Sequence, residues 1–270
     1  MPGAQNRRTD EPNNIFMKAL VLSPGGMFGA YQAGAWKILA DLFQPDLIVG
    51  ASIGAVNGWA IAGGCSPDEL IERWREMECL RSYRWKFPAG LFGGVLGSEN
   101  LRRLICDIHG CYPPRVDFAL LLTELLKLRP RIFRGAEVTS EHLIAATALV
   151  GIFDQVRIDG TLYSDGGYLS VATLWAAAEL GATEALVIDV LPEPPGMVAR
   201  NFVRAMKLLA PFQPVVPPNL KVMRLTPPKL LGAPLDSIYW KRENVEQWIR
   251  AGETDAIAIK HSIQNCFERE

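Results

Sequence analysis

The stretch "LIVGASIGAVNGWAIAGG", residues Leu47–Gly64, allows two interpretations that predict different folds. It is eighteen residues long and uncharged, and its glycines at 50, 54 and 58 have the spacing seen where membrane helices pack together. It also contains Gly50-Ala51-Ser52-Ile53-Gly54, a G-x-S-x-G pattern that is typical of a serine on a sharp turn between a strand and a helix.

The surroundings of this stretch disfavour the membrane interpretation. Acidic residues flank it, Asp46 before it and Asp68 after it, in place of the lysine and arginine anchors that fix a membrane span. The stretch also holds the polar side chains of Ser52 and Asn57, which a span would bury in lipid. We therefore expect no transmembrane span here.

The serine interpretation divides the stretch into three parts. We predict a buried strand at Leu47–Gly50, Ser52 at the turn, and a buried helix at Ile53–Ala62. Gly50 and Gly54, on either side of the serine, let the strand and the helix approach closely. The turn would present the Ser52 hydroxyl at the helix N-terminus, where the helix dipole favours negative charge. Because glycine and serine are common, this pattern needs support from other parts of the chain.

Strand-like and helix-like segments alternate along the chain. Runs rich in apolar and β-branched residues recur at Lys18–Ser23, Asp46–Ser52, Glu184–Val190 and Leu220–Thr226. Longer stretches with helical spacing lie between them, for example Ala30–Leu42. This alternation predicts an α/β fold of three layers, with a mostly parallel central sheet and helices on both faces.

The secondary structure of three segments is harder to predict. Arg115–Gly135 fits the period of a helix or of a strand, and we interpret it as strand-rich. Val198–Leu209 predicts a short amphipathic helix inside a proline-rich surface connection. Tyr239–Cys266 predicts one or two helices interrupted near Gly252.

The composition limits the class of protein. The chain has 270 residues, 49% of them hydrophobic, and a net charge of −1, which predicts one domain over residues 16–270. Residues 1–15 are polar and lack the apolar segment of a signal peptide, so we expect a flexible tail on a cytoplasmic protein. A near-neutral chain has no broad basic surface and is a poor candidate for binding nucleic acid.

The five cysteines are better explained as reduced thiols than as disulfides, because their number is odd and they form no repeated C-x-x-C pair. The sequence "CDIHGC", Cys106–Cys111, offers Cys and His side chains to zinc. No second ligand pair lies at a plausible spacing, so buried or surface thiols explain it better.

Two further motifs support the serine interpretation. "SPGGMFGAYQAG", Ser23–Gly34, is a glycine-rich loop after the first strand, but it matches neither the dinucleotide-binding pattern nor the P-loop pattern. The backbone N–H groups of Gly25 and Gly26 could instead stabilise an oxyanion. "LYSDGGYLS", Leu162–Ser170, places Asp165 before two glycines at a strand end, although Asp-Gly is also a common turn dipeptide.

The three motifs, in this order, resemble those of the patatin-like phospholipase family over most of Met17–Val190. The resemblance implies a patatin-like fold and hydrolysis of lipid acyl esters through an acyl-enzyme, with no metal or organic cofactor. It implies a Ser-Asp dyad without histidine, in which Ser52 is the nucleophile and Asp165 the base. By the same resemblance, Gly25 and Gly26 donate to the oxyanion.

The glycine-rich loop departs from the family's usual Gly-Gly-Gly-x-Arg/Lys-Gly. Pro24 replaces the first glycine and Phe28 replaces the basic residue. Proline lacks an N–H, but the inferred donors follow it, so we expect the oxyanion site to survive. We expect the loss of the cation to affect either the preference for lipid headgroups or the anchoring of the loop.

Two other functions compete with this hypothesis. Ser52, Asp165 and His261 follow the chain order of an α/β-hydrolase triad, although His261 lies in a segment with helical spacing. Alternatively, Pro24 and Phe28 would suit a lipid-binding protein that keeps the fold and has lost turnover.

A segment that interleaves cations and aromatic residues suggests a peripheral membrane contact. Glu72–Gly97 alternates arginines with Trp74, Tyr83, Trp85 and Phe87 before it becomes apolar and glycine-rich. Such a pattern is typical of contact with a lipid interface. A solvated helix face over a buried aromatic stripe explains it equally well. The predicted helix Val198–Leu209 is a second candidate for contact with lipid, but there we favour packing of the helix on the sheet.

Overall fold

The computed structural model describes residues 16–90, 92–168, 173–191 and 215–267, together with Asn201 and Leu208. The strands are β1 (Lys18–Leu22), β2 (Leu47–Gly50), β3 (Asp117–Glu124), β4 (Arg129–Arg134), β5 (Val156–Ile158), β6 (Thr161–Asp165), β7 (Glu184–Ile188) and β8 (Lys221–Leu225). The α-helices are α1 (Gly29–Leu39), α2 (Ile53–Ala62), α3 (Pro67–Arg75), α4 (Glu99–Cys111), α5 (Ser140–Ala146), α6 (Leu174–Glu179) and α7 (Arg242–Phe267).

These eight strands form one mixed sheet. Strands β8, β7, β1, β2 and β3 lie side by side and run parallel, whereas β4, β5 and β6 pair in antiparallel fashion. Most of the strands are therefore parallel, as predicted. The β-rich character of Arg115–Gly135 is also confirmed, because this segment contains β3 and β4.

Alternating side chains of the central strands enter two different apolar clusters. In β1, Leu20 and Leu22 pack into the larger cluster, which also receives most of the helices, while Ala19 and Val21 pack into the smaller one beside α6. This period of two is what a strand buried on both faces requires. Helices thus cover both faces of the sheet, as the alternation of segments predicted.

The register of β3 places the ends of β2 and β6 close together. Strand β4 occupies one edge of β3 opposite residues 119–124. On the other edge, Gly50 of β2 pairs with Leu120, and Asp165 of β6 pairs with Leu122. Because β2 and β6 run in opposite directions, their carboxyl ends face each other along this edge. The residues that follow Gly50 therefore arrive next to Asp165.

The opening stretch has the three parts that the serine interpretation predicted. Strand β2 covers Leu47–Gly50, helix α2 covers Ile53–Ala62, and Ser52 lies at the turn between them. Among the described residues, no helix has the length and apolar character that a membrane span requires. Two predictions fall outside the described residues. They are the N-terminal tail of residues 1–15 and the helix Val198–Leu209, of which only Asn201 and Leu208 are described.

The predicted interruption near Gly252 is wrong, because α7 is continuous from Arg242 to Phe267. Gly252 instead allows α7 to pack closely against α1. A Cβ atom at Gly252 would lie 2.2 Å from the carbonyl oxygen of Tyr31 in α1, and one at Gly34 would lie 2.1 Å from that of Ile249 in α7. Each glycine thus lets the other helix's backbone approach, and α1 and α7 cross in close contact.

Candidate active site

Ser52 occupies a strained backbone position between β2 and α2. Its φ of 53° and ψ of −131° put it among the three non-glycine residues of the described chain with positive φ. Such conformations are costly and are found at functional turns. The turn is also crowded, since a Cβ at Gly50 in β2 would lie 2.3 Å from the Gly54 carbonyl oxygen in α2. The small residues around Ser52 are therefore needed for the strand and the helix to meet at this angle.

The start of α2 supplies positive electrostatic potential at the serine. The backbone N–H groups of Ser52 and Ile53 donate no hydrogen bond to any residue that the structure describes. Unpaired N–H groups at a helix N-terminus attract negative charge. The Ser52 side chain is nevertheless shielded, because the residue is only 6% exposed.

Asp165 lies at the end of β6 with its backbone held on both sides. Its carbonyl oxygen accepts a hydrogen bond from the Thr123 hydroxyl at 2.9 Å, and its N–H donates to the Ala148 carbonyl at 3.3 Å. Its carboxylate Oδ1 accepts from the Gly167 N–H at 2.7 Å. The other oxygen, Oδ2, is buried and has no hydrogen-bond partner of standard geometry among the described residues. One carboxylate oxygen is thus left available for a proton.

Burial raises the pKa of Asp165 to about 6 from its ordinary value of 3.8. The Ser52 hydroxyl and the Gly167 N–H act in the opposite direction, because each favours the charged carboxylate. The influence of Ser52 shows that the two side chains are close, although their contact is not a hydrogen bond of standard geometry. Contacts of this kind often tighten only when substrate binds.

The glycine-rich loop carries two free N–H groups. Neither Gly25 nor Gly26 donates a backbone hydrogen bond to a described residue. Gly26 has φ +56°, and a Cβ there would lie 2.0 Å from the Ser237 carbonyl oxygen, so this position requires glycine. The loop continues into α1 at Gly29, where a Cβ would come within 2.7 Å of Ile53. The loop therefore lies beside the first turn of α2.

The two departures in this loop have structural explanations. A Cβ at Gly167 would lie 2.8 Å from Cβ and Cγ of Pro24, so the proline ring packs on the turn that follows Asp165. Phe28 is buried, and its ring meets that of Trp248 in α7 edge-on, with centroids 5.0 Å apart. Apolar packing therefore anchors the loop at the position where the family usually has a cation.

Sequence reasoning missed a buried hydrogen-bond network behind the loop. Gln32 Nε2 donates to the Ser23 carbonyl at 2.8 Å. Asn57 Nδ2 donates to the Gly29 carbonyl at 3.0 Å and to Gln32 Oε1 at 2.9 Å. Asn57 Oδ1 accepts from the indole N–H of Trp74 at 3.1 Å. The signal available in the sequence was one amide side chain within an apolar run of each helix, Gln32 in α1 and Asn57 in α2.

The three histidines lie on helices, outside the turns that carry Ser52 and Asp165. His109 stacks on Trp59, with ring centroids 4.6 Å apart, and His142 is buried in the N-terminal cap of α5. His261 is exposed on α7. None of them makes a hydrogen bond to either side chain of the candidate pair.

The cysteine motif does not form a metal cluster in the described structure. Cys106 and Cys111 lie on α4 and are exposed, and all five cysteines are free thiols. The described residues contain no group of three or more His, Cys, Asp or Glu side chains suited to hold a metal ion.

The segment of cations and aromatic residues divides into a buried part and an exposed part. In α3, Trp74 is fully buried, as a core stripe requires. Beyond it, residues 84–90 and 92–97 form what we call the aromatic hairpin, closed by a bridge between Trp85 and Leu96 and by a hydrogen bond from the Gly97 N–H to the Arg84 carbonyl at 2.8 Å. Here Trp85 is 75% exposed and Phe87 is 97% exposed. Exposure of two such rings is unusual on a surface that meets only water.

The chain resembles known proteins in sequence and in fold. The family model for patatin-like phospholipase matches residues 20–178, which is more than half of the chain. The chain belongs to the patatin-like phospholipase family, which confirms the resemblance noted in the sequence.

Particular relatives agree with this membership. The chain is similar to the lysophospholipase nte1 of Aspergillus terreus and to that of Aspergillus oryzae, in each case 26% identical over 178 residues. The match covers 63% of this chain but only 12% of each relative, so the chain corresponds to a small part of these proteins. Among solved structures, VipD from Legionella pneumophila shares the fold, with a TM-score of 0.50 and 12% identity over 91% of this chain and 67% of VipD.

Proposed function

We propose that this protein is a serine-dependent lipid acyl-ester hydrolase whose nucleophile is Ser52 and whose base is Asp165. The observation that carries the proposal is the convergence of these two residues at the facing ends of β2 and β6. The raised pKa of Asp165 adds support, because a carboxylate with a pKa of about 6 accepts a proton more readily than an ordinary one and is still charged at pH 7.

The proposed reaction has two halves. In the first, Asp165 accepts the proton of the Ser52 hydroxyl while the oxygen attacks the ester carbonyl carbon. The N–H groups of Gly25 and Gly26 stabilise the resulting oxyanion. The tetrahedral species then collapses to an acyl-enzyme, and the leaving alcohol takes the proton from Asp165.

In the second half, Asp165 removes a proton from a water molecule that attacks the acyl carbonyl. Collapse of the second tetrahedral species releases the carboxylic acid and returns the proton to the Ser52 oxygen. The cycle regenerates both side chains, and its chemistry requires no metal or organic cofactor. We assign it to residues 16–270 acting as one domain in the cytoplasm.

Lipid esters are the proposed substrate class because of the family and because of the aromatic hairpin. The Aspergillus relatives carry the name lysophospholipase. In this chain, exposed Trp85 and Phe87 stand beside Arg84, an arrangement that suits the boundary between headgroups and acyl chains. We therefore propose that the protein meets its substrate as a peripheral protein on an anionic lipid surface.

Covalent labelling together with turnover tests the chemical part of this proposal. A fluorophosphonate should label the wild-type protein at Ser52, and the protein should hydrolyse p-nitrophenyl acyl esters. Ser52→Ala should lose both properties, and Asp165→Asn should lose turnover by several orders of magnitude while remaining folded. Near wild-type turnover in either folded variant would refute the dyad. A wild-type protein that binds lipid but neither reacts nor turns over would instead be a lipid-binding member of the family.

A further inference from the structure

A chain of buried amide groups, in which each amide nitrogen and oxygen has a hydrogen-bond partner, connects the glycine-rich loop to the helix that begins beside Ser52. Gln32, Asn57 and Ser23 are each no more than 2% exposed. The orientation of both amides is fixed by their partners, because the carbonyls of Ser23 and Gly29 can only accept and the indole of Trp74 can only donate. The two amides are joined by one hydrogen bond, from Asn57 Nδ2 to Gln32 Oε1 at 2.9 Å.

The points of attachment are the two ends of the loop. Ser23 immediately precedes Pro24, and Gly29 immediately follows Phe28. Gln32 holds the first end, and Asn57 holds the second. Asn57 belongs to α2 and also bonds to Gln32. Hydrogen bonds therefore link both ends of the loop to α2, the helix whose N-terminus lies at Ser52.

Ser23 is itself a junction between strands. Its N–H donates to the Ile188 carbonyl at 3.2 Å, and its hydroxyl accepts from the Val190 N–H at 2.9 Å. With the bond from Gln32, its backbone N–H, carbonyl and side chain are all engaged. The loop therefore starts from a residue with little freedom to move.

From this arrangement we infer that Gln32 and Asn57 are positioning residues for the oxyanion site. They fix the ends of the loop against α2, so that the N–H groups of Gly25 and Gly26 stay at a set distance from the Ser52 oxygen. This inference rests on the proposed function. Oxyanion donors act on the tetrahedral state and little on bound ester, so a displaced loop should lower kcat and leave KM nearly unchanged.

The test uses Gln32→Met, which keeps the length of the side chain and removes both polar atoms. Tyr31→Phe is the matched control, because Tyr31 is the neighbouring residue on α1 and donates a hydrogen bond to Asp255 in α7 at 2.9 Å, away from the loop. Active enzyme is counted by fluorophosphonate labelling to completion, and kcat and KM are measured on a soluble ester.

We expect Gln32→Met to lower kcat by about 10- to 100-fold, with KM within about threefold of wild type, since removal of an oxyanion donor costs about 100- to 1,000-fold. The pH at which kcat/KM is half-maximal should not move, because Asp165 is untouched. Tyr31→Phe should keep kcat within about threefold. Equal losses of kcat in both variants, or a rise in KM at constant kcat, would overturn the inference.

Gln32→Glu provides a second route if Gln32→Met does not fold. It has nearly the same volume, and when ionised it cannot donate to the Ser23 carbonyl. The same loss of kcat is expected at pH 8, and wild-type kcat would contradict the positioning role. Labelling and turnover of the wild-type protein establish the proposed function independently, so a failure of Gln32 to matter would leave that function standing.

Discussion

Asp165, the proposed base, carries a cost to the stability of the fold. A carboxylate removed from water is disfavoured when charged, and burial therefore raises the pKa of Asp165 to about 6. In the unfolded chain the same group releases its proton near 3.8. As the pH rises from 4 to 7, ionisation therefore favours the unfolded state, and the stability present at low pH is lost through pH 6.

Asp165→Asn should consequently be more stable than the wild-type protein at pH 7.5. The advantage should be roughly 2 kcal/mol larger at pH 7.5 than at pH 4, because only the wild-type protein pays for ionising the buried group. Urea denaturation at the two pH values measures this difference. Asp41→Asn, at an exposed position, is the matched control for the change from carboxylate to amide. A stability difference that is the same at both pH values would contradict the buried-charge explanation.

The residues of the candidate pair were predictable because each lies in a short motif. The G-x-S-x-G turn and the Asp-Gly-Gly turn depend on neighbours within a few positions, and glycines mark both. Gln32 and Asn57 could not be assigned in this way. Their partners, Ser23 and Gly29, lie 9 and 28 positions away in sequence, and only the packing of α1 on α2 brings them together.

At the scale of elements, the aromatic hairpin is a surface projection joined to the segment that leads to Asp165. Its Val95 and Leu96 N–H groups donate to the carbonyls of Gly151 and Ile152, at 3.3 and 2.9 Å. Lys86 pairs with Asp154. A few residues earlier, the Ala148 carbonyl accepts the Asp165 N–H. The hairpin is thus fixed to the side of the molecule that holds the candidate site.

Replacing Trp85 and Phe87 together with alanine should weaken binding to anionic liposomes by roughly 10- to 100-fold, because apolar burial of two rings is lost. Turnover of aggregated lipid should fall in parallel, and hydrolysis of a soluble short-chain ester should be unchanged. Ile257→Ala, which removes an exposed apolar side chain from α7, is the control. Equal losses on soluble and aggregated substrates would show structural damage in place of a membrane contact.

Strands and helices were predicted best where the sequence of a segment alone determines its secondary structure. Strands β1, β2 and β7 have continuous apolar character because both faces are covered. The error at Gly252 has the opposite origin. A glycine in a helical pattern suggests an end, and only the crossing of α1 and α7 shows that this one is needed for contact between two helices.

At the scale of the whole molecule, the topology brings the candidate site residues together at the carboxyl ends of internal strands and places the histidines on helices. The parallel strands β1 and β2 end in the glycine-rich loop and in Ser52, and the antiparallel β6 brings Asp165 to the same place. His109 and His142 lie on α4 and α5, and His261 lies on the exposed side of α7. This distribution favours a dyad over a triad.

A variant with all three histidines changed to glutamine tests the dyad directly. We expect it to keep at least about a third of the wild-type kcat on p-nitrophenyl esters, because no imidazole takes part in proton transfer. Glutamine suits each position: at 142 it completes a Thr-x-x-Gln capping box with Thr139, and at 109 its amide can still donate to the Val138 carbonyl.

If His261 completed a triad, the same variant would lose turnover as severely as Ser52→Ala, because the members of a triad act as a unit. Circular dichroism and fluorophosphonate labelling separate this loss from misfolding, since a misfolded protein would lose its spectrum and its labelling together. A folded but inactive variant that regains turnover when His261 alone is restored would overturn the dyad. The exposed position of His261 on α7 and the buried contact between Ser52 and Asp165 lead us to expect the active outcome.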